Sequence, residues 1–295
     1  MITKNGISVT YDNRQYWPAL HERLKGQLKA VGHPFLSEEL NRLKYASEAA
    51  SVGLALQAVI QSFRKKDQQD FAFLDVGAGT GFWTDLISSL FLSNGCQADV
   101  TALDVSGDAL EVIQERLPGV RGIQEDLATI APDKFSGRYD LISACYCFHH
   151  IVKTRDFLNA LQFAGSSVKQ DGFLLLMDPI LMQPYSTLDT IDLYSFRGNG
   201  IPRPLYLIDD VLLDAGLRRI RLLPAVSFVL NGCIEACGPF AYFLMNKLWK
   251  ALCVFYRSEG FVRRTAGVLQ SVDQALKHRN LAFSSSVCLY QKING

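Results

Sequence analysis

Residues 71–84, FAFLDVGAGTGFWT, leave this chain few ways to fold. The run Phe73, Leu74, Val76 is apolar apart from Asp75, and it breaks into glycine at every second position: Gly77, Gly79 and Gly81. Phe82, Trp83, Leu86, Ile87, Leu90 and Phe91 then follow at the spacing of one helical face. Strand, glycine loop and helix in that order open a nucleotide-type α/β fold. Glycine tolerates φ > 0 and lets a ligand approach the backbone. The helix N-terminus behind the loop offers N–H groups and partial positive charge to an anionic group.

The loop reads G-x-G-x-G, with Phe82 where a dinucleotide fingerprint places its third glycine, and it lacks the G-K-[ST] ending of a phosphate-binding loop. Beyond it, strand and helix patterns alternate to about residue 228, which predicts a parallel sheet with helices on both faces. Ala98–Leu103 forms a second strand running into Asp104, followed by a helix with Leu110, Val112, Ile113 and Leu117. Gly122-Ile123 starts a short third strand before Asp126-Leu127, Tyr139–Ala144 a fourth before CYCFHHI, and FLLLMDP a fifth after the turn Asp171-Gly172. Thr154 is placed to cap the helix between the last two. Residues 206–217 read as a helix, IRLLPAVSFVL as a sixth strand, and SSSVCLYQK as the last.

An acid inside the first strand followed by GAGTG resembles motif I of class I S-adenosylmethionine-dependent methyltransferases, and the order of elements over roughly residues 70–180 resembles them too. The resemblance implies a Rossmann-like, doubly wound, mostly parallel seven-stranded α/β sheet and S-adenosyl-L-methionine as cofactor. It places the methionine portion against Gly77, Ala78, Gly79 and Gly81, and along the backbone at Cys145-Tyr146. Ribose falls at Asp104 with Val105 beside it, and adenine at Asp126 with Leu127 on the ring. A carboxylate suits the ribose because it accepts two hydrogen bonds at once. Other readings stay open: Asp104 as a helix N-cap, Asp126 as a turn cap, and Asp75 as a brace for loop N–H groups instead of a ligand contact. Asp140, at the far end of the fourth strand, reads as structural.

Methyl transfer to a hydroxyl is helped by a base that removes the proton. His149 and His150 are candidates, since histidine titrates near neutrality, and Asp178 at the end of the fifth strand is another. FHHI also resembles a frequent motif of the family, which favours an architectural role equally.

Around this core, residues 1–70 read as an N-terminal helical cap. One helix carries Tyr16, Leu20, Leu24 and Leu28; a second, N-capped by Ser37, carries Leu40, Leu43, Ala50, Leu54 and Ile60. Residues 71–230 form the cofactor-binding core, 231–282 a C-terminal helical insertion, and 283–295 return the last strand. The insertion's FAYFLMNKLWKALCVFY is apolar nearly all round yet falls short of the ~18–20 residues that span a bilayer. It reads as a buried or homodimer-forming helix, as a lid over a hydrophobic acceptor, or as a peripheral membrane contact assisted by nearby arginines. Tyr185–Arg203 reads as a loop facing substrate.

A net charge of +1 gives no footprint for nucleic acid. The 7 cysteines make no CxxC pair, so no metal is expected, and free thiols without an export signal point to a reducing cytoplasm. The expectation is methyl transfer to a small-molecule acceptor, oxygen before nitrogen or carbon, of the kind found in polysaccharide or specialised-metabolite pathways. A nicotinamide-dependent reductase is disfavoured by the missing glycine and by the lack of a Tyr-x-x-x-Lys pair. A non-catalytic cofactor-binding protein is the other rival.

Overall fold

A computed structural model describes residues 2–4, 7–9, 12–24, 27–28, 32–182 and 200–293. Its centre is a seven-stranded sheet. In chain order the strands are β3 (Asp70–Val76), β4 (Gln97–Asp104), β5 (Arg121–Gln124), β6 (Tyr139–Cys145), β7 (Val168–Asp178), β10 (Leu217–Val226) and β11 (Ser285–Lys292). They lie side by side as β10-β11-β7-β6-β3-β4-β5. Neighbours from β5 across to β7 are parallel, and β11 runs antiparallel between β7 and β10. The chain starts in the middle at β3, winds outward through β4 and β5, then returns to β6 on the other side. That reversal opens a crevice at the C-terminal ends of β3 and β6, where open α/β sheets bind ligands.

The parallel strands read as continuous apolar runs because both faces are covered. One face is packed by Leu74, Val76, Ile142, Ala144, Leu174 and Leu176 against α5 (Thr154–Ser167) and α6 (Leu205–Asp214). The other is packed by Phe71, Phe73, Leu141, Leu175 and Met177 against α3 (Phe82–Leu92) and the long α2 (Glu38–Lys65). The smaller pieces are the strand pair β1 (Ile2–Lys4) and β2 (Ile7–Val9), α1 (Asn13–Arg23), α4 (Gly107–Arg116), the pair β8 (Ile180–Leu181) and β9 (Arg203–Pro204), and α7 (Phe228–Asn231).

The structure departs from the sequence pattern in several places. The first helix stops at Arg23, short of Leu28, even though Pro18 sits inside it. In α2 the buried stripe runs through Val52, Ala55, Leu56, Val59 and Phe63, leaving Ala50 and Leu54 exposed. Asp171-Gly172 is no turn before β7 but part of it, with Asp171 at φ 60°. Lys153, not Thr154, stands at the N-cap of α5, and the Thr154 hydroxyl accepts from Arg203 instead. Most of the Tyr185–Arg203 loop lies outside the described residues.

The insertion holds α8 (Pro239–Phe255) and α9 (Glu259–His278). α9 is tied to the core: Asp273 accepts from the Ser227 N–H at 2.7 Å and from the Ser47 hydroxyl, while Lys277 Nζ donates to the Ser47 carbonyl at 2.9 Å. α8 is not the buried helix its composition suggests. None of its residues is buried, and Phe240 is 79% exposed. Uniform apolarity signals that something covers a helix without saying what. Among the described residues no helix is long and apolar enough to cross a membrane.

Candidate active site

A cavity of about 430 Å³ opens at the sheet's C-terminal edge. The β3–α3 loop forms its floor, with Gly77 at φ 65°, Gly79 at 54° and Gly81 at 84°. Only part of that freedom serves a ligand. A Cβ on Gly77 would lie 2.4 Å from Cys147 Sγ, and one on Gly81 2.9 Å from Ile113 Cγ1, so these two glycines make room for the chain itself. Gly77, Ala78 and Gly79 line the cavity; Gly81 does not.

At one end of the cavity Asp104 leaves β4 as a hinge for the loop. One carboxylate oxygen accepts from Gly79 N at 2.8 Å and the other from Ser106 N at 2.9 Å. Burial raises its pKa, and those N–H groups oppose the rise. Each oxygen retains a second lone pair for a hydroxyl. Asp104 is not the helix N-cap, a role taken by Ser106. Asp126 accepts from Ala128 N at 3.0 Å, which closes its own turn, and from Arg14 Nε at 2.6 Å. Leu127 and Val105 complete this end, roofed by Tyr16, Trp17, Leu20 and His21 of α1. His21 is buried, and among the described residues neither ring nitrogen has a hydrogen-bond partner. Desolvation lowers its pKa against the pull of Asp104 and Asp108. An unpaired buried polar group costs about 1–3 kcal/mol, so this orphan marks a place where a polar ligand would repay the protein.

At the other end a hydrogen-bonded chain of buried polar groups begins at Tyr146, a non-glycine residue held at φ 57° just past β6. Its hydroxyl lies 2.5 Å from both Glu48 Oε1 and Ser285 Oγ. Glu48 is wholly buried and pairs with Lys44 Nζ at 2.9 Å. Asn231 donates to the Tyr146 hydroxyl at 3.2 Å and to Ser284 at 3.0 Å, and its carbonyl oxygen meets His33 Nε2 at 2.9 Å. Lys44, Tyr45, Tyr146, Asn231 and His33 all line the cavity.

Between the two ends sits His149, in the short 3-10 turn 148–150 after β6, with Nδ1 2.6 Å from Asp178 Oδ1. Burial lowers the histidine's pKa to about 3, with the Lys44 charge adding to it, and raises the carboxyl's to about 8. Desolvation thus disfavours a separated ion pair, and when the carboxyl is ionised Nδ1–H donates to it and Nε2 carries the open lone pair. Nε2 has no partner among the described residues, and Asp178 itself lies behind the ring and outside the lining. His150 sits between His149, tilted with ring centres 3.8 Å apart, and Trp17, edge-to-face at 4.6 Å.

Of the residues singled out from the sequence, Gly77, Ala78, Gly79, Asp104, Val105, Asp126, Leu127, Cys145, Tyr146, His149 and His150 come together on this cavity. Asp75 does not. It is buried beneath the loop, accepting from the hydroxyls of Thr84 and Ser143 at 2.6 Å each, and not from loop N–H groups. Asp140 is structural, accepting from Ala72 N and Lys169. Missed by sequence reasoning were Trp17, His21, Lys44, Cys147 and Asn231. A lysine four residues before a glutamate on a helix ordinarily signals a solvated face, so only the fold reveals Lys44.

Residues 74–174 match the family model for a methyltransferase domain. That segment carries the glycine loop, Asp104, Asp126 and His149, and the sheet order around it is the one the resemblance to class I methyltransferases implies. No curated protein matches it. Among solved structures it is similar to a protein from Galdieria sulphuraria named for an expected sarcosine dimethylglycine methyltransferase activity, at 17% identity over 85% of each chain and a TM-score of 0.51. It is also similar to the 4+2 cyclase SpnF, at 12% identity over 99% of this chain and 100% of that one, with a TM-score of 0.52. These likenesses are of fold. Since one bears the name of a methyltransferase and the other of a cyclase, the site must speak for the reaction.

Proposed function

We propose that this chain is an S-adenosylmethionine-dependent methyltransferase that methylates a hydroxyl oxygen of a small-molecule acceptor, with His149 as the base. The observation that carries the reading is the 2.6 Å His149–Asp178 contact on the wall of a cavity floored by the glycine loop. Asp178 fixes the ring with Nδ1 turned inward and leaves Nε2 to receive the hydroxyl proton. The ionised Asp178 carboxylate stabilises the imidazolium that forms when Nε2 takes that proton.

The cofactor fits the donor set of the other end. Asp104 would hold the ribose hydroxyls, Asp126 the adenine amino group, Leu127 and Val105 the ring faces, and His21 a polar atom that ends its isolation. Gly77, Ala78 and Gly79, with the Cys145-Tyr146 backbone, would carry the methionine portion. Bound there, S-adenosylmethionine supplies a methyl carbon that the acceptor oxygen's lone pair attacks as the carbon–sulfur pair returns to sulfur. The chain's own share is alignment of the two reactants, exclusion of water by the α1 roof, and removal of one proton.

In this reading residues 1–70 act as the roof and one wall, 71–230 as the cofactor core, and 231–282 as an insertion whose first residues, Asn231 and Ile234, reach the acceptor end. The described cysteines are all free, in keeping with a cytoplasmic home. Incubation with methyl-labelled cofactor and a mixed pool of alcohols, phenols, enols and amines tests the proposal. Label on oxygen is expected, and label confined to nitrogen, or none, would refute it.

A further inference from the structure

Lys44 stands out among the charged groups of the molecule. It is buried, it faces the cavity, and nothing in the methylation scheme above uses it. Its ammonium donates to Glu48 Oε2 at 3.1 Å and lies 2.9 Å from Oε1, and among the described residues no other group takes its remaining N–H bonds. Glu48 is 0% exposed and is absent from the cavity wall, so the carboxylate sits behind the ammonium and the positive end faces the ligand space. The Tyr146 hydroxyl claims the remaining reach of Glu48 and fixes it from the other side.

The surroundings define what the remaining N–H bonds can meet. Lys44 Nζ lies 4.1 Å from the Tyr146 ring centre and 4.5 Å from that of Tyr45. These rings already stabilise one cation, and a second cation entering the same space would be repelled by the first. Tyr45, Phe82 and Trp83 form an aromatic cluster with centres 4.5 to 5.6 Å apart, two of its pairs edge-to-face and one tilted, whose ring edges and faces suit an aromatic or enolic ligand. The His149 ring lies edge-to-face with Tyr146 at 5.9 Å, so base and ammonium both border this one ring and both line the cavity.

We infer that the acceptor is a planar compound with an acidic hydroxyl, a phenol or enol, whose oxygen lies between Lys44 Nζ and His149 Nε2. The inference rests on the methylation reading above and narrows it. His149 Nε2 takes the hydroxyl proton, and Lys44 donates its free N–H to the oxygen that is left negative, holding the nucleophile as an anion before transfer. Lys44 is then a catalytic residue for binding the oxyanion, and Glu48 a positioning residue acting through it.

The test uses 4-nitrophenol, whose phenol and phenolate forms absorb at different wavelengths, with wild-type enzyme saturated with S-adenosylhomocysteine. Below the free probe's midpoint, the bound probe should carry about tenfold more phenolate than the free probe, the ratio for a pKa lowered by one. The paired variant Lys44→Met with Glu48→Gln removes both charges together, and its glutamine keeps a partner for Tyr146. It should return the bound probe to the free ratio while S-adenosylhomocysteine affinity stays the same. An equal ratio in wild type and variant, or a wild type that binds nucleoside but not the probe, overturns the inference and leaves hydroxyl methylation standing. A wild type that fails to bind S-adenosylhomocysteine sinks both. If the paired variant does not fold, the wild-type spectrum still decides: phenolate enrichment upholds the inference, and its absence refutes it.

Discussion

Asp104→Asn separates two roles that one carboxylate plays in this site. In the free protein its oxygens accept from Gly79 N at 2.8 Å and Ser106 N at 2.9 Å. An asparagine keeps one carbonyl oxygen and turns an NH₂ group toward the other N–H, so one charge-assisted bond becomes a donor facing a donor. A hydrogen bond to a charged group contributes about 1.5–3 kcal/mol, and that much unfolding free energy should be lost without ligand. If the carboxylate also accepts from ribose, a second bond of similar size disappears on binding. The Kd for S-adenosylhomocysteine then rises roughly 10- to 150-fold. Urea unfolding reads the first quantity and isothermal titration calorimetry the second. Loop loosening alone could weaken binding, so Ser106→Ala serves as the baseline. It removes the 3.3 Å cap bond to Ala109 N from the same loop, at about 1 kcal/mol, and touches no ribose. A Kd shift for Asp104→Asn no larger than that of Ser106→Ala would show that Asp104 only braces the loop, and the ribose assignment would fall.

Further outcomes follow from other contacts. Asp178→Asn, which takes the carboxylate from His149, should lower kcat by about 10²- to 10⁴-fold, the span of general-base contributions, with nucleoside affinity unchanged; a kcat within twofold of wild type would count against the base. His33 is held neutral by burial, with its pKa lowered to about 4. The unfolded chain therefore binds the extra proton below about pH 6.5, and the stability this histidine contributes is full above that value and drains away as pH falls toward 4. Relative to His33→Asn, wild type should lose up to about 1.4 kcal/mol per pH unit across that window in urea titrations, and parallel curves would refute the burial argument. Gly77→Ala should destabilise the fold by at least about 1 kcal/mol, since φ is 65° and the new methyl meets Cys147 Sγ at 2.4 Å; adding Cys147→Ala should restore part of the loss, and no restoration would place the clash elsewhere. Arg14→Ala removes a bond from a 57% exposed side chain, so the urea midpoint should stay near that of wild type while amide exchange in α1 quickens; unchanged exchange would mean the latch is idle.

The parts of the site that the sequence discloses are those whose partners lie close along the chain. The glycine loop and Asp104 announce themselves because strand, turn and helix follow without interruption, and periodicity records such local order directly. His149 and Asp178 are each visible as the end of a strand, but their contact needs two parallel strands to arrive side by side. Lys44 and Glu48 carry no signal at all. Their helix positions look solvent-facing until Tyr146 and Ser285, about a hundred and more residues later, close over them. The same gap explains α8, whose apolar residues announce burial while the single chain leaves them exposed.

The roof over the cavity comes from α1. Arg14 finds Asp126 across 112 positions, so this helix leaves the ribosome well before its partner is made. Closing so wide a loop costs entropy before any contact rewards it, which places the docking of α1 among the final acts of assembly. Until then the crevice stands open from above, and a nucleoside can be laid on a finished floor before the cover comes down.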